Sequence, residues 1–111
     1  MAALKKCAKR LRIYIGETDH YDRIVKKAKE LDMAGVTVFR GVMGYGENNR
    51  QIRSARLVEL SCDLPIVIEI IDSEEYIDKF MPHLDTLVQK GMITIDDVKV
   101  LKYGKQLPGH E

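Results

Sequence analysis

Residues 9–16 alternate in character: Leu11, Ile13 and Ile15 fall on one side, Arg10, Arg12 and Tyr14 on the other. A period of two marks a strand with one buried face. The period then changes, and Tyr21, Ile24, Val25, Ala28 and Leu31 recur at helical spacing. Thr18 or Asp19 is placed to cap that helix and Gly35 to stop it. Residues 35–43 are β-rich and predict a second strand. Residues 44–55 are polar, contain glycine and are too long for a tight hairpin turn, so a long loop is expected. A short strand is expected over 57–60, and Pro65 opens a stronger one over 66–71. Asp72 or Ser73 caps a second helix whose first turn carries Glu74 and Glu75, both favoured by the helix dipole. Ile77, Phe80, Met81, Leu84, Leu87 and Val88 form its apolar stripe, and Pro82 should kink or split it. The last strand is expected after Gly91, over 92–95 and 98–103, with a break near Asp96 and Asp97.

The order β-α-β-β-α-β predicts an α+β ferredoxin-like sandwich, a four-stranded antiparallel sheet with both helices on one face. At 111 residues the chain is expected to be a single domain over 1–111, with flexible ends at 1–8 and 104–111. Such a sheet leaves edges exposed. Val36 and Val38 with Ile66, Ile68 and Ile70 offer more apolar surface than two helices can hide, an argument for self-association.

Composition narrows the function classes. Hydrophobic residues make up 45% and charged residues 32% of the chain, which excludes disordered and collagen-like classes. No apolar stretch has the length of a membrane span, so no direct membrane insertion is expected. The absence of Trp and an aromatic content of 6% argue against nucleic acid as a partner; Tyr14 is a lone stacker, and Glu69 stands where a second would be needed. Cys7 and Cys62 lack metal-ligand spacing and read as reduced thiols of a cytoplasmic protein, and His20, His83 and His110 lie too far apart in sequence to suggest a metal site. The net charge of +1 is unevenly spread: residues 1–56 hold 13 Lys/Arg against 6 Asp/Glu, residues 57–111 hold 5 against 11. The basic first half points towards an anionic ligand.

The stretch richest in candidate chemistry is Arg40, Gly41, Gly44, Tyr45 and Gly46, followed by Arg50, Arg53 and Arg56. Glycines at a strand end can adopt positive φ and aim backbone N–H groups at one point, and guanidiniums fork onto phosphate oxygens. The spacing is neither that of the P-loop nor the dinucleotide fingerprint. Two readings stand side by side: a phosphate cradle, or a hairpin tip that uses glycine to turn and arginine for solubility. Lys90 and Gly91, with Lys99, Lys102 and Lys105 behind them, are second-rank candidates for an anion site, against the plainer reading of solvated lysines around a helix stop. No nucleophile, base or metal grouping of a known catalytic type appears, so no catalytic residues are identified and no cofactor is required. A small acylphosphatase-like hydrolase shares the element order, but its phosphate loop would fall at the acidic residues 16–19.

Residues 35–46, G-V-T-V-F-R-G-V-M-G-Y-G, resemble the uncharacterised branch of the nitrogen regulatory PII-like superfamily, as do residues 14–17, 60–65 and 91–94. The resemblance implies a homotrimer that binds an adenine nucleotide (AMP, ADP or ATP) or a similar phosphorylated metabolite in the clefts between subunits. It places Arg40, Gly41, Gly44 and Gly46 in the cleft. It also implies a signalling protein whose 44–55 loop changes shape and contacts a partner protein or membrane transporter. The alternative is a ligand-independent trimeric adaptor. Of the superfamily's glycine-rich phosphate loop only Gln89, Lys90 and Gly91 remain, its modifiable tyrosine has no counterpart, and Arg53 stands where many nearer relatives look to have histidine.

Overall fold

The computed structural model describes residues 8–46, 49–54 and 64–104. Strand β1 (Ala8–Gly16) is followed by a 3-10 turn (Glu17–Asp19), helix α1 (Tyr21–Glu30) and strand β2 (Val36–Arg40). A ribbon of β3 (Met43–Gly46) and β4 (Asn49–Ser54) precedes strand β5 (Pro65–Ser73), helix α2 (Glu74–Leu87) and strand β6 (Met92–Val98). The main sheet runs β2-β5-β1-β6 with every pairing antiparallel. With the ribbon set aside, this is the ferredoxin-like arrangement predicted from the alternating and helical periods.

The alternation decides which face is buried. Leu11, Ile13 and Ile15 of β1 and Ile66, Ile68 and Ile70 of β5 meet Ile24 and Ala28 of α1 and Ile77, Phe80 and Leu84 of α2 in one core. Val36 and Val38 pack against the same core. The helices therefore do cover the valine and isoleucine positions that argued for self-association. The uncovered apolar groups are others. Cross-strand register sets Phe39, Val67, Tyr14 and Met92 in one row on the opposite face, where Phe39 is 50% and Met92 55% exposed. Ile93 and Ile95 of the edge strand lie beyond the reach of the helices and are also exposed.

Several local expectations change. Helix α1 starts after His20, in the left-handed region at φ 57°, and Asp19 instead caps the 3-10 turn, accepting from the Gly16 N–H at 2.8 Å. The helix stops at Leu31, with Asp32 taking the left-handed position at φ 58° that was expected of Gly35; aspartate tolerates that region better than most side chains. Ser73 caps α2, its hydroxyl accepting from the Tyr76 N–H at 3.4 Å. Pro82 does not split α2, because buried Phe80 and Leu84 on either side hold the helix against the core across the missing hydrogen bond. Strand β6 runs unbroken through Asp96 and Asp97. These carboxylates face Arg10 and Lys9 of β1 as cross-strand ion pairs, so they staple the edge strand instead of interrupting it.

The expected second strand over 35–43 is divided at Gly41, and the expected long loop over 44–55 is largely the paired ribbon: Met43 opposes Ser54, Gly44 opposes Arg53, and Gly46 opposes Asn49 across a register shift. Pro65 accounts for the division. It begins β5 and has no N–H with which to extend a ladder beyond the Arg40–Ile66 pair. The expected strand over 57–60, the terminal segments 1–7 and 105–111, both cysteines, Lys105 and Arg56 lie outside the described residues.

Candidate functional site

Because β1 and β2 both run antiparallel to β5, their C-terminal ends emerge at the same end of the sheet. Gly16 opposes Pro65 there, and Arg40 opposes Ile66. The Gly41 N–H donates to the Pro65 carbonyl at 2.7 Å, and the Glu17 N–H donates to the Leu64 carbonyl at 3.0 Å. Residues 64–65 thus form a backstop that both strand ends are tied to.

The glycines serve this backstop in a way the sequence did not announce. A Cβ on Gly41 would stand 3.0 Å from the Pro65 Cγ, and one on Gly44 3.1 Å from it. The positive-φ glycine among the described residues is Gly91, whereas Gly41, Gly44 and Gly46 are not in that region. The use of Gly41 and Gly44 is close approach to a proline ring, while Gly46 faces open space, and none of the three supplies a left-handed cradle of amides.

Arg40 is half exposed, and its Nη2 donates to Oε2 of Glu17 at 2.5 Å. The guanidinium expected to meet phosphate is thus already ion-paired with a carboxylate of the β1–α1 turn. Glu17 is the residue that sequence reasoning missed at this site. The signal was available: in a β-α-β unit with one strand between, residues just past the first and second strand ends are about two strand spacings apart, roughly 10 Å, within joint reach of an arginine and a glutamate.

Met43 and Tyr45 are exposed on β3, as are Val42 just before it and Ile52 on β4. Arg50 and Arg53 belong to β4, which puts Arg53 opposite Gly44; their side chains lie outside those described. Lys90 and Gly91 lead into β6, and Gly91 sits against Tyr14 and Ile15 near the end of β1. They therefore share one end of the sheet with Arg40 but stand at the other edge, about three strand spacings or 14 Å away. Within a single chain the two candidate groups do not meet.

Charge on the open face is settled internally. Arg12 Nε donates to Glu69 at 3.0 Å, a bond that raises the Arg12 pKa above its ordinary value. Glu69, which stood in the way of a nucleic-acid platform, thus has a partner within the sheet. At the far end of the sheet Asp72 is fully buried and accepts from the Ala34 and Ser73 N–H groups, both at 2.7 Å. The Tyr103 hydroxyl donates to the Ala34 carbonyl at 2.6 Å, strapping the segment after β6 across that end. Among the described residues there is no cluster of three or more metal-ligating side chains, and no helix is long and apolar enough to cross a membrane.

The model of the DUF190 family, described as Uncharacterized ACR, matches residues 8–100. A UPF0166 protein of Aquifex aeolicus is 38% identical over 107 residues, covering 91% of this chain and 98% of that protein. Among solved structures, CPII, a nitrogen regulatory PII-like protein from Thiomonas intermedia K12 bound to ADP, AMP and bicarbonate, superposes with a TM-score of 0.69 at 18% identity, covering 86% of this chain and 89% of that one. A putative PII-like signaling protein from Thermus thermophilus gives a TM-score of 0.58 at 24% identity, with 85% and 90% covered. The chain accordingly belongs to the DUF190 family, and its fold is that of the nitrogen regulatory PII-like proteins.

Proposed function

We propose that this chain is a PII-like regulatory protein. It binds an adenine nucleotide, or a similar phosphorylated metabolite, at clefts between copies of itself and reports occupancy through the segment 44–55. The ligand's phosphates meet Arg40 together with Arg50 and Arg53 of β4, Arg56 further along the chain, and Lys90 and Gly91 of a neighbouring copy. The observation that carries this reading is the division of the basic groups. Arg40 and Lys90 stand at the same end of the sheet but at opposite edges, so a single anion can engage both only where the β2 edge of one copy adjoins the β6 edge of the next. The uncovered row of Phe39, Val67, Tyr14 and Met92 supports assembly, since burying such groups is worth about 1.5–3 kcal/mol for each large side chain. A homotrimer is the expected assembly. The ADP and AMP bound to CPII support the ligand class.

Signalling would follow from ordering. A phosphate at Arg40 touches the strand end from which the ribbon departs, and so selects among ribbon orientations. The exposed Val42, Met43, Tyr45 and Ile52 of the ribbon favour a second reading, an adaptor that docks a partner protein or transporter through this surface without a ligand. A thermal-shift screen with AMP, ADP and ATP separates the two: a rise in melting temperature with at least one nucleotide, lost in Arg40→Ala, is expected by mass action on the folded state. No rise with any of the three rejects the nucleotide reading in favour of the adaptor. A mass near 12.7 kDa by light scattering at micromolar concentration would reject both.

A further inference from the structure

The pairing of Arg40 with Glu17 has a consequence for how tightly the site holds an anion. We infer that Glu17 is a built-in competitor for the ligand's phosphate: its carboxylate occupies the guanidinium, and it sets the affinity of the site low. This rests on the reading of Arg40 as a phosphate-binding residue and adds to it a means by which that binding is tuned.

The backbone of Glu17 is anchored beside the end of β2. Its N–H is bound to the Leu64 carbonyl at 3.0 Å, one residue from the Pro65 carbonyl that receives the Gly41 N–H. The carboxylate and the guanidinium therefore spring from two strand ends fastened to the same dipeptide. Of the two side chains, the glutamate is the more enclosed, 24% exposed against 55% for the arginine. The bond to Glu17 is the one hydrogen bond that the Arg40 side chain makes among the described residues.

A phosphate arriving at Arg40 can meet this arrangement in two ways. It can displace the carboxylate, at the expense of a charge-assisted hydrogen bond. It can instead share the guanidinium, using its remaining N–H groups, and then a like charge stays within a few ångströms of the phosphate. In both cases Glu17 opposes binding. A carboxylate whose only duty was to orient Arg40 for the ligand would have the opposite effect, so the sign of one substitution distinguishes the two roles.

The test is calorimetric titration of ADP and ATP into the wild-type 111-residue chain, Glu17→Gln and Glu30→Gln. The last removes the same unit of charge at the far end of α1, where Glu30 pairs with Lys27. Exposed ion pairs are worth little, so the expected gain in Glu17→Gln is modest, roughly two- to fivefold tighter binding. It should shrink as salt is raised, and Glu30→Gln should bind as the wild type does. In an Arg40→Ala background, Glu17→Gln should produce no gain. General damage to the fold would weaken binding, so a gain cannot arise from it. If the wild type binds and Glu17→Gln binds equally or more weakly, the competitor role is overturned while the nucleotide reading survives. If neither protein binds ADP or ATP, both fall. Binding detected in Glu17→Gln alone would be the competitor role in its strongest form.

Discussion

Of Gly35, Gly41, Gly44, Gly46 and Gly91, the last tolerates a side chain least, and Gly91→Ala measures by how much. The residue has φ +130°, a region that an L-amino acid rarely adopts, and holding one there costs about 1–3 kcal/mol. Space is lacking as well: a Cβ would stand 2.4 Å from the Tyr14 carbonyl oxygen and 2.9 Å from the Ile15 Cγ2. The carbonyl has nowhere to retreat. Tyr14 is in a central strand, opposite Val67 on one side and Met92 on the other, so moving it disturbs both ladders. Forcing extra volume into a packed site costs about 1–3 kcal/mol more. Together the two contributions give about 2–6 kcal/mol, against a total stability of about 5–15 kcal/mol for a domain of this size.

Urea unfolding followed by far-ultraviolet circular dichroism measures the loss, with three other glycines as an internal scale. Gly35 and Gly46 face open space, and Gly35→Ala or Gly46→Ala should change stability by no more than about 0.5 kcal/mol. Gly41→Ala should fall between, at about 1 kcal/mol, because Pro65 Cγ at 3.0 Å must give by a few tenths of an ångström. A Gly91→Ala protein whose stability lies within about 0.5 kcal/mol of the wild type would refute the reasoning, and with it the placement of the α2–β6 turn against β1.

Two further predictions concern the ends of the sheet. The ion pair with Arg10 holds the Asp96 carboxyl below its ordinary pKa. A depressed native pKa contributes stability that is present above about pH 4 and lost as pH falls through the native value; in thermal melts at several pH values, the deficit of Asp96→Asn should be steady between about pH 5 and 8 and vanish in acid. Tyr103→Phe removes the hydrogen bond to the Ala34 carbonyl and should cost about 1 kcal/mol in denaturant melts. Burial, followed by the nearby Asp72 and Asp32, raises the Tyr103 pKa, so the phenol's contribution is present below about pH 10 and lost as pH rises through the native value; the phenylalanine variant should lack that alkaline loss.

Where one physical effect dominated, the residues spoke plainly. The alternation of β1, the run of isoleucines in β5 and the stripe of α2 each follow from burying one face, and each element stands within a few residues of its predicted place. Misreadings occur where a distant residue decides. Asp96 and Asp97 look like a strand break until register sets them opposite Arg10 and Lys9. Gly41 and Gly44 look like turn formers until Pro65, more than twenty positions further on, is placed against them. Arg40 looks like a vacant anion ligand until the topology brings Glu17 to it. For the aspartates and the glycines a contact distant in sequence chose between two chemistries; at Arg40 it added a partner to the guanidinium.

The same logic bears on why this sheet would not act alone. On its covered face the helices reach Val36, Val38 and the isoleucines of β5 that point towards them, and leave Ile93 and Ile95 of the edge strand exposed. Its other face mixes two kinds of surface. The Arg12–Glu69 pair is satisfied in place and gains little from any partner. The adjacent row from Phe39 to Met92 is apolar, spans all four strands and ends at the two edges that carry the candidate basic groups. A contact that buried this row would bring strand edges of different copies near one another, and with them Arg40 and the Lys90 of a neighbour. Hydrophobic burial and anion binding would then favour the same assembly, the first supplying most of the free energy and the second making it responsive to a ligand.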